Sequence, residues 1–139
     1  MRKQATTFAG TAAGAVMLIG TLCAGPAAAS PALGRAPDPS VCEDTAHPPR
    51  DPVTEGGCIA IDRTKGNCVA CHAIAGATSG NVAPPLVDVA RNFPDRARLR
   101  AEIVDPTRFN PGTVMPPFGR NLILTPREID RVVDFILTL

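Results

Sequence analysis

Beyond position 72, the 139-residue sequence contains no cysteine and no histidine. Structural zinc sites built on a C-x-x-C pair need a second such pair, so the second half of the chain could not complete one. Positive charge is not in excess either: without residues 1–29, 12 lysines and arginines stand against 13 aspartates and glutamates. A net charge of about −1 gives no electrostatic support for binding nucleic acid.

Residues 1–29 have the pattern of a secretory signal peptide. Arg2 and Lys3 precede an apolar run over 8–25, and the alanines at 27–29 offer an A-x-A cleavage site. A permanent membrane anchor is the alternative, but glycine and threonine dilute the apolar run. We therefore predict a periplasmic protein with no membrane attachment after cleavage, and we expect Cys23 to be removed with the signal.

Cys68, Cys71 and His72 form a C-x-x-C-H motif, the attachment sequence of c-type haem. Two thiols at this spacing can add to the two vinyl groups of one porphyrin edge, and the adjacent histidine is then delivered to the iron. A bare C-x-x-C would leave thioredoxin-like chemistry or half of a zinc site open. The histidine favours haem, so one covalently attached haem c is predicted.

Residues 30–53 are rich in proline and charge and have no periodic apolar pattern, which predicts an extended arm ahead of a domain over 54–139. Cys42 lies in this arm and Cys58 lies shortly beyond it. In an exported protein we expect them to form a disulfide that closes a loop of about 17 residues and contributes about 3 kcal/mol. Two free thiols are the alternative. His47, also in the arm, is interpreted as a solvated loop histidine rather than an iron ligand.

The C-terminal segment carries the strongest helix signal. Thr125 and Glu128 form a capping box with proline between them at the first helical position. The apolar residues that follow have helical spacing: Ile129, Val132, Val133, Ile136 and Leu137. A shorter helix is predicted over 54–65, stopped by Gly66. The two helices are expected to pack together, so a large side chain at Gly57 would wedge them apart.

Asp95 has the character of an N-cap for a further helix that runs to about Val104, with Leu99 in its buried stripe. Arg96 and Arg100 are four positions apart and share one face of this helix. An ordinary solvated face is the favoured interpretation, and a patch for docking a partner is the alternative.

Met115 is the only methionine that remains once residues 1–29 are removed, and it lies in a proline-stiffened loop ahead of the last helix. Methionine is usually core filler. In a haem protein, however, this loop could fold across the haem and offer its sulfur to the iron face opposite His72. Pro84 begins a Pro-Pro-Leu turn after the motif, and a backbone carbonyl there could accept the second ring N–H of His72 and fix its tautomer.

A helix before C-x-x-C-H, a Pro-Leu turn after it, a methionine loop and a C-terminal helix together resemble a class I cytochrome c over 54–139. More narrowly, the sequence is similar to the SoxX family, the small monohaem subunits of the SoxAX cytochromes of bacterial thiosulfate oxidation. The stretches that carry this resemblance are DRTKGNC at 62–68, PPL at 84–86, FPDR at 93–96, DPTRFNPGTVMPPFG at 105–119, ILT at 123–125, EI at 128–129 and VVDF at 132–135.

The resemblance implies an all-α class I cytochrome c fold, in which short helices and loops surround one covalent haem behind the N-terminal arm. It implies thioether bonds at Cys68 and Cys71, axial ligation by His72 and Met115, and no catalytic residue in this chain. The implied partner is a SoxA subunit, whose own haem carries the catalytic cysteine ligand. The SoxAX complex joins thiosulfate oxidatively to a cysteine of the SoxYZ carrier protein, and SoxX passes the released electrons to a downstream acceptor cytochrome.

An iron with both axial positions filled has no open position for substrate, which favours an electron relay. An apolar rim around Val69, Ala70 and residues 115–118 would suit contact with a partner. Two other hypotheses remain open. The protein could be a stand-alone periplasmic cytochrome shuttle, or it could be a small peroxidase, which would require Met115 to leave the iron.

Overall fold

A computed structural model of the chain describes residues 34–139, so the predicted signal peptide and Cys23 lie outside the described residues. The helices are α1 (Pro39–Glu43), α2 (Pro52–Ile61), α3 (Val89–Asn92), α4 (Arg96–Val104) and α5 (Pro126–Ile136), with 3-10 turns at Cys68–Ala70 and Pro106–Arg108. Within 34–139 there is no strand beyond an isolated bridge between His72 and Ala83. The predicted all-α fold is confirmed. None of the helices in this range is long and apolar enough to cross a membrane.

Helix α5 begins as its capping signals predict. The Thr125 hydroxyl accepts from the backbone N–H of Glu128 at 3.2 Å, and the Glu128 carboxylate accepts from the backbone N–H of Thr125 at 2.9 Å. Its apolar face is buried through Ile129, Val132, Val133, Phe135 and Ile136. This face provides the largest fully buried side chain of the core, Phe135.

Helix α2 runs from Pro52 to Ile61 and not over 54–65, so its predicted bounds were wrong. The start is earlier because the Asp51 carboxylate caps it, accepting from the Thr54 N–H at 2.8 Å. The end is earlier because the Asp62 carboxylate accepts from both the N–H and the hydroxyl of Thr64, each at 2.7 Å, and so turns the chain out of the helix. Gly66 follows this turn and donates its N–H back to the Ile59 carbonyl at 3.1 Å.

The two helices α2 and α5 cross at adjacent glycines of α2. A β-carbon at Gly56 would overlap the backbone carbonyl of Arg131, so only glycine fits this crossing. A β-carbon at Gly57 would lie 2.7 Å from the ring of Pro37 and 3.1 Å from Phe135. The predicted packing of the two helices is confirmed, but the closest approach is at Gly56 rather than at Gly57.

Helix α4 has the predicted cap, with the Asp95 carboxylate accepting from the Ala97 N–H at 2.8 Å, and it ends at Val104. Its arginines bind α5 instead of facing solvent alone: Arg96 donates to Asp134 at 2.6 Å. Arg100 likewise donates to Asp130 at 2.7 Å. The docking patch considered from the sequence is therefore occupied by ion pairs within the chain.

Contacts with the rest of the domain hold the described part of the arm in place. It contains the short helix α1, which was not predicted from the sequence. A disulfide joins Cys42 to Cys58 of α2, with an S–S distance of 1.96 Å and a Cα–Cα distance of 5.3 Å. Ala36 is buried, and its N–H donates to the Ala75 carbonyl at 2.8 Å. The side chain of His47 is 82% exposed and lies 3.3 Å from Asp44, away from the core.

Candidate haem-binding site

The C-x-x-C-H motif is wound into one tight turn. Asn67 enters it in the left-handed conformation with φ of 46°, and Cys68–Ala70 then form a 3-10 turn. The carbonyl of Cys68 accepts from the N–H groups of Cys71 at 3.2 Å and His72 at 2.9 Å. Because the turn closes on itself, both thiols and the imidazole are brought to the wall of a single cavity.

The two motif cysteines are free thiols and are half-buried. The surroundings of the Cys68 sulfur are apolar, and this burial raises the pKa of its thiol to about 11. At neutral pH this thiol is protonated, which is the state of a structural cysteine rather than of a redox-active C-x-x-C thiolate. The thioredoxin-like alternative therefore loses support.

His72 is oriented by the segment that follows the motif. Its Nδ1 lies 2.7 Å from the carbonyl oxygen of Pro84, which can only accept, so Nδ1 carries the proton and donates. The Ala83 N–H donates to the Cys71 carbonyl at 3.0 Å and holds this segment against the motif. The lone pair of Nε2 is thereby left available, as an iron-binding imidazole requires. The proline turn considered from the sequence supplies the acceptor, at Pro84.

Met115 lies on the same cavity and is half-buried. Its backbone N–H donates to the Thr113 hydroxyl at 3.1 Å, and the Thr113 N–H donates to the Asn110 carbonyl at 3.1 Å. Prolines 116 and 117 follow, and Phe118 is buried against the core. The loop is thus shaped by local hydrogen bonds and anchored by an aromatic side chain on the C-terminal side of the methionine.

The cavity has a volume of about 720 Å³ and is enclosed largely by apolar side chains. The apolar residues of its wall include Leu86, Phe93, Leu99, Ile103, Phe118, Val132 and Ile136. An apolar cavity of this size in a domain this small has the character of a ligand-binding site rather than of ordinary core packing. Two free thiols, an oriented imidazole and a thioether on an apolar wall suit a c-type haem, and these residues therefore fit the group.

Zinc remains the other cofactor that such ligands could bind. Among residues 34–139, however, no group of three or more histidine, cysteine, aspartate or glutamate side chains comes together as a metal site. A structural zinc site needs four such ligands. The described part of the chain does not supply them.

The mouth of the cavity agrees only in part with the apolar rim expected from the sequence, since Ala70 and Pro116 line it and are exposed. Phe118 is buried, so it cannot contribute to a contact surface. Four further side chains that line the cavity are exposed and extend this rim: Val82 by 71%, Val87 by 54%, Val114 by 85% and Ile123 by 42%. No periodic pattern marks these residues in the sequence, because all of them lie in loops.

The family described as cytochrome C oxidase, cbb3-type, subunit III matches residues 62–136, which is more than half of the chain. The chain therefore belongs to this family of c-type cytochrome domains, in agreement with its fold and its site.

Within that class, the chain is similar to a solved structure, described as the crystal structure of SoxXA from P. pantotrophus. The identity is 31% and the TM-score is 0.55, over 62% of this chain and 80% of that chain. The protein is a SoxX-like cytochrome. A comparison with curated proteins finds no match.

Proposed function

We propose that this protein is the electron-transfer subunit of a SoxAX complex, which oxidatively couples thiosulfate to a cysteine of the SoxYZ carrier protein. The observation that carries the proposal is that one apolar cavity gathers the Cys68–His72 turn and Met115, in a chain similar to a SoxXA structure. That combination suits an electron relay whose iron is closed to substrate.

Each residue of the site has a distinct part in this proposal. Cys68 and Cys71 would hold a single haem through thioether bonds, and His72 Nε2 and the Met115 sulfur would bind its iron. Pro84 keeps His72 in the tautomer that can bind iron. When bound, the haem supplies a one-electron couple, and a neutral thioether ligand favours a raised reduction potential. With two protein ligands in place, thiosulfate is bound and activated elsewhere in the complex.

The proposed location is the periplasm, and two features of the chain support it. Residues 1–29 have signal-peptide character. The disulfide between Cys42 and Cys58 is typical of an oxidising compartment, since cytosolic thiols are kept reduced. The proposed partners there are the SoxA subunit, SoxYZ through the complex, and a downstream cytochrome that accepts the electrons.

The proposal is tested by reconstitution with purified SoxA and SoxYZ from the same organism. We expect a stable heterodimer with SoxA on size-exclusion chromatography, and reduction of the haem of this chain on addition of thiosulfate only when both SoxA and SoxYZ are present. The matched control is the double variant Cys68→Ser, Cys71→Ser, which cannot hold covalent haem and should give no absorbance change of its own.

Failure to bind SoxA, together with rapid electron exchange with other small redox proteins, would contradict the proposal and support the stand-alone shuttle. Peroxidase turnover by the parent protein would support the enzymatic alternative. If peroxidase activity is absent from the parent and gained by Met115→Ala, the enzymatic alternative is excluded.

A further inference from the structure

The loop that carries Met115 is closed at its base by the backbone. The N–H groups of Gly119 and Arg120 both donate to the carbonyl of Val104, each at 3.1 Å. A β-carbon at Gly119 would lie 2.9 Å from the Val104 side chain, so the two ends of the loop approach more closely than a side chain at position 119 would allow. The segment 105–120 therefore leaves helix α4 and returns to the same point.

Three side chains close the same base, and we call them the base cluster: Asp105, Thr107 and Arg120. The Thr107 hydroxyl donates to the Asp105 carboxylate at 2.6 Å and accepts from Nη1 of Arg120 at 2.8 Å. The same Nη1 lies 3.2 Å from the Asp105 carboxylate. The side chain of Asp105 is only 12% exposed. Arg120, at the end of the loop, thus contacts both Asp105 and Thr107 at its start.

The opposite charges of Asp105 and Arg120 strengthen the hydrogen bonds of the base cluster. The hydrogen bond from the Thr107 hydroxyl and the positive charge of Arg120 hold the pKa of Asp105 below its ordinary value. Asp105 is therefore ionised at neutral pH, and its bonds to Thr107 and Arg120 are charge-assisted, which makes them stronger than neutral ones. None of the three residues lines the cavity.

We propose that the base cluster is a positioning device for Met115, which holds the loop closed so that the methionine sulfur stays at the cavity. This inference rests on the proposed ligation of the haem iron by Met115. A loop with free ends samples many conformations, and fixing its ends removes most of them. Opening the base should lower the fraction of molecules in which Met115 is bound, and an external ligand should then bind in its place more tightly.

The test is the affinity of the ferric holoprotein for imidazole, followed by the shift of the Soret band. Replacing Arg120 by Met removes the cross-loop charge, and we expect affinity to rise by about fivefold, as for loss of a hydrogen-bonded ion pair whose arginine is half-exposed. Thr107→Val keeps the shape of the side chain and the Asp105–Arg120 pair but removes the hydroxyl, and should raise affinity by about threefold. Arg120→Lys restores the charge and should recover part of the parent behaviour.

The matched control is Arg100→Met. It removes an arginine–carboxylate pair of 2.7 Å that links α4 to α5 and does not involve the loop. Its imidazole affinity should equal that of the parent, although it also loses an ion pair. This separates positioning of Met115 from a general loss of stability.

The inference is overturned if Arg120→Met and Thr107→Val both keep the parent affinity, or if Arg100→Met raises it as much as they do. If Arg120→Met does not fold with haem, Thr107→Val decides by the same criterion. A different failure is recognised separately: if the parent binds imidazole as tightly as Met115→Ala does, the ligation by Met115 is wrong, and the proposed function loses its axial ligand.

Discussion

The crossing of α2 and α5 leads to a sharp prediction about two neighbouring glycines. Gly56→Ala places a β-carbon against the backbone of α5, 3.0 Å from the Val132 nitrogen and overlapping the Arg131 carbonyl. Gly57→Ala instead meets the ring of Pro37, in the arm, and the edge of Phe135. The backbone of a packed helix cannot rotate away, whereas the atoms that a β-carbon at Gly57 meets belong to side chains and lie farther off. The first variant should therefore be clearly less stable than the second.

The size of the difference follows from two opposing effects. Both variants gain helix propensity, because alanine is favoured over glycine in a helix by about 1 kcal/mol. Overpacking costs about 1–3 kcal/mol, and the rigid contact at Gly56 places that variant near the upper limit. The net changes are then a loss of about 2 kcal/mol for Gly56→Ala and about zero for Gly57→Ala. In a domain of this size, that gap corresponds to a difference of about 8–16 °C in Tm.

The assay is thermal unfolding of the holoprotein, followed by circular dichroism at the helix band and by the Soret band. Because the two substitutions are chemically identical and adjacent in one helix, each serves as the control for the other. Equal Tm values, or a lower Tm for Gly57→Ala, would refute the assignment of the closest helix approach to Gly56.

Two other predictions concern the surface and the arm. Lys65 donates to Glu128 at 2.7 Å, and this bond is the main reason that the pKa of Glu128 falls from 4.5 to about 2. A lowered carboxyl pKa gives stability that is fully present above the ordinary pKa of 4.5 and is lost only as the pH falls through about 2. Lys65→Met should therefore lower the free energy of unfolding more at about pH 6 than at about pH 2.5 in urea titrations. A cost that is the same at both pH values would contradict this. Replacing Cys42 and Cys58 together by serine should lower the free energy of unfolding by about 3 kcal/mol in urea. The parent protein treated with reductant should have the same free energy of unfolding as this variant. An unchanged free energy of unfolding in both samples would contradict a stabilising role of the disulfide.

Local signals explain which elements could be predicted from the sequence. The capping box at Thr125 and the cap at Asp95 act within one helical turn, so the starts of α5 and α4 were predicted and are confirmed. The end of α2 was predicted wrongly because Asp62 can either continue a helix or bind Thr64. Periodicity alone does not distinguish these outcomes.

Contacts between distant segments account for most of what could not be predicted. Two adjacent glycines predict close packing of α2, but only the direction of α5 decides that Gly56 meets its backbone. The pairing of Arg96 with Asp134 joins residues 38 positions apart, and a solvated helix face was the expectation for this arginine. The cross-loop contact of Arg120 with Asp105 belongs to the same category.

The haem site combines a local signal with a contact between distant segments. The C-x-x-C-H motif is local, so Cys68, Cys71 and His72 could be identified with no knowledge of the fold. Met115 could be singled out because it is the only methionine after residue 29, and the fold brings it to the same cavity as the motif. Ligation of the iron by Met115 stays a prediction.

The most direct test of the account is the absorption spectrum of the exported, oxidised holoprotein at the far-red edge of the visible range. We predict the weak band that reports methionine sulfur on ferric haem, and we predict that this band is lost in Met115→Ala while the covalent haem is retained. A spectrum without the band, or a band that survives in Met115→Ala, would contradict the His72 and Met115 relay.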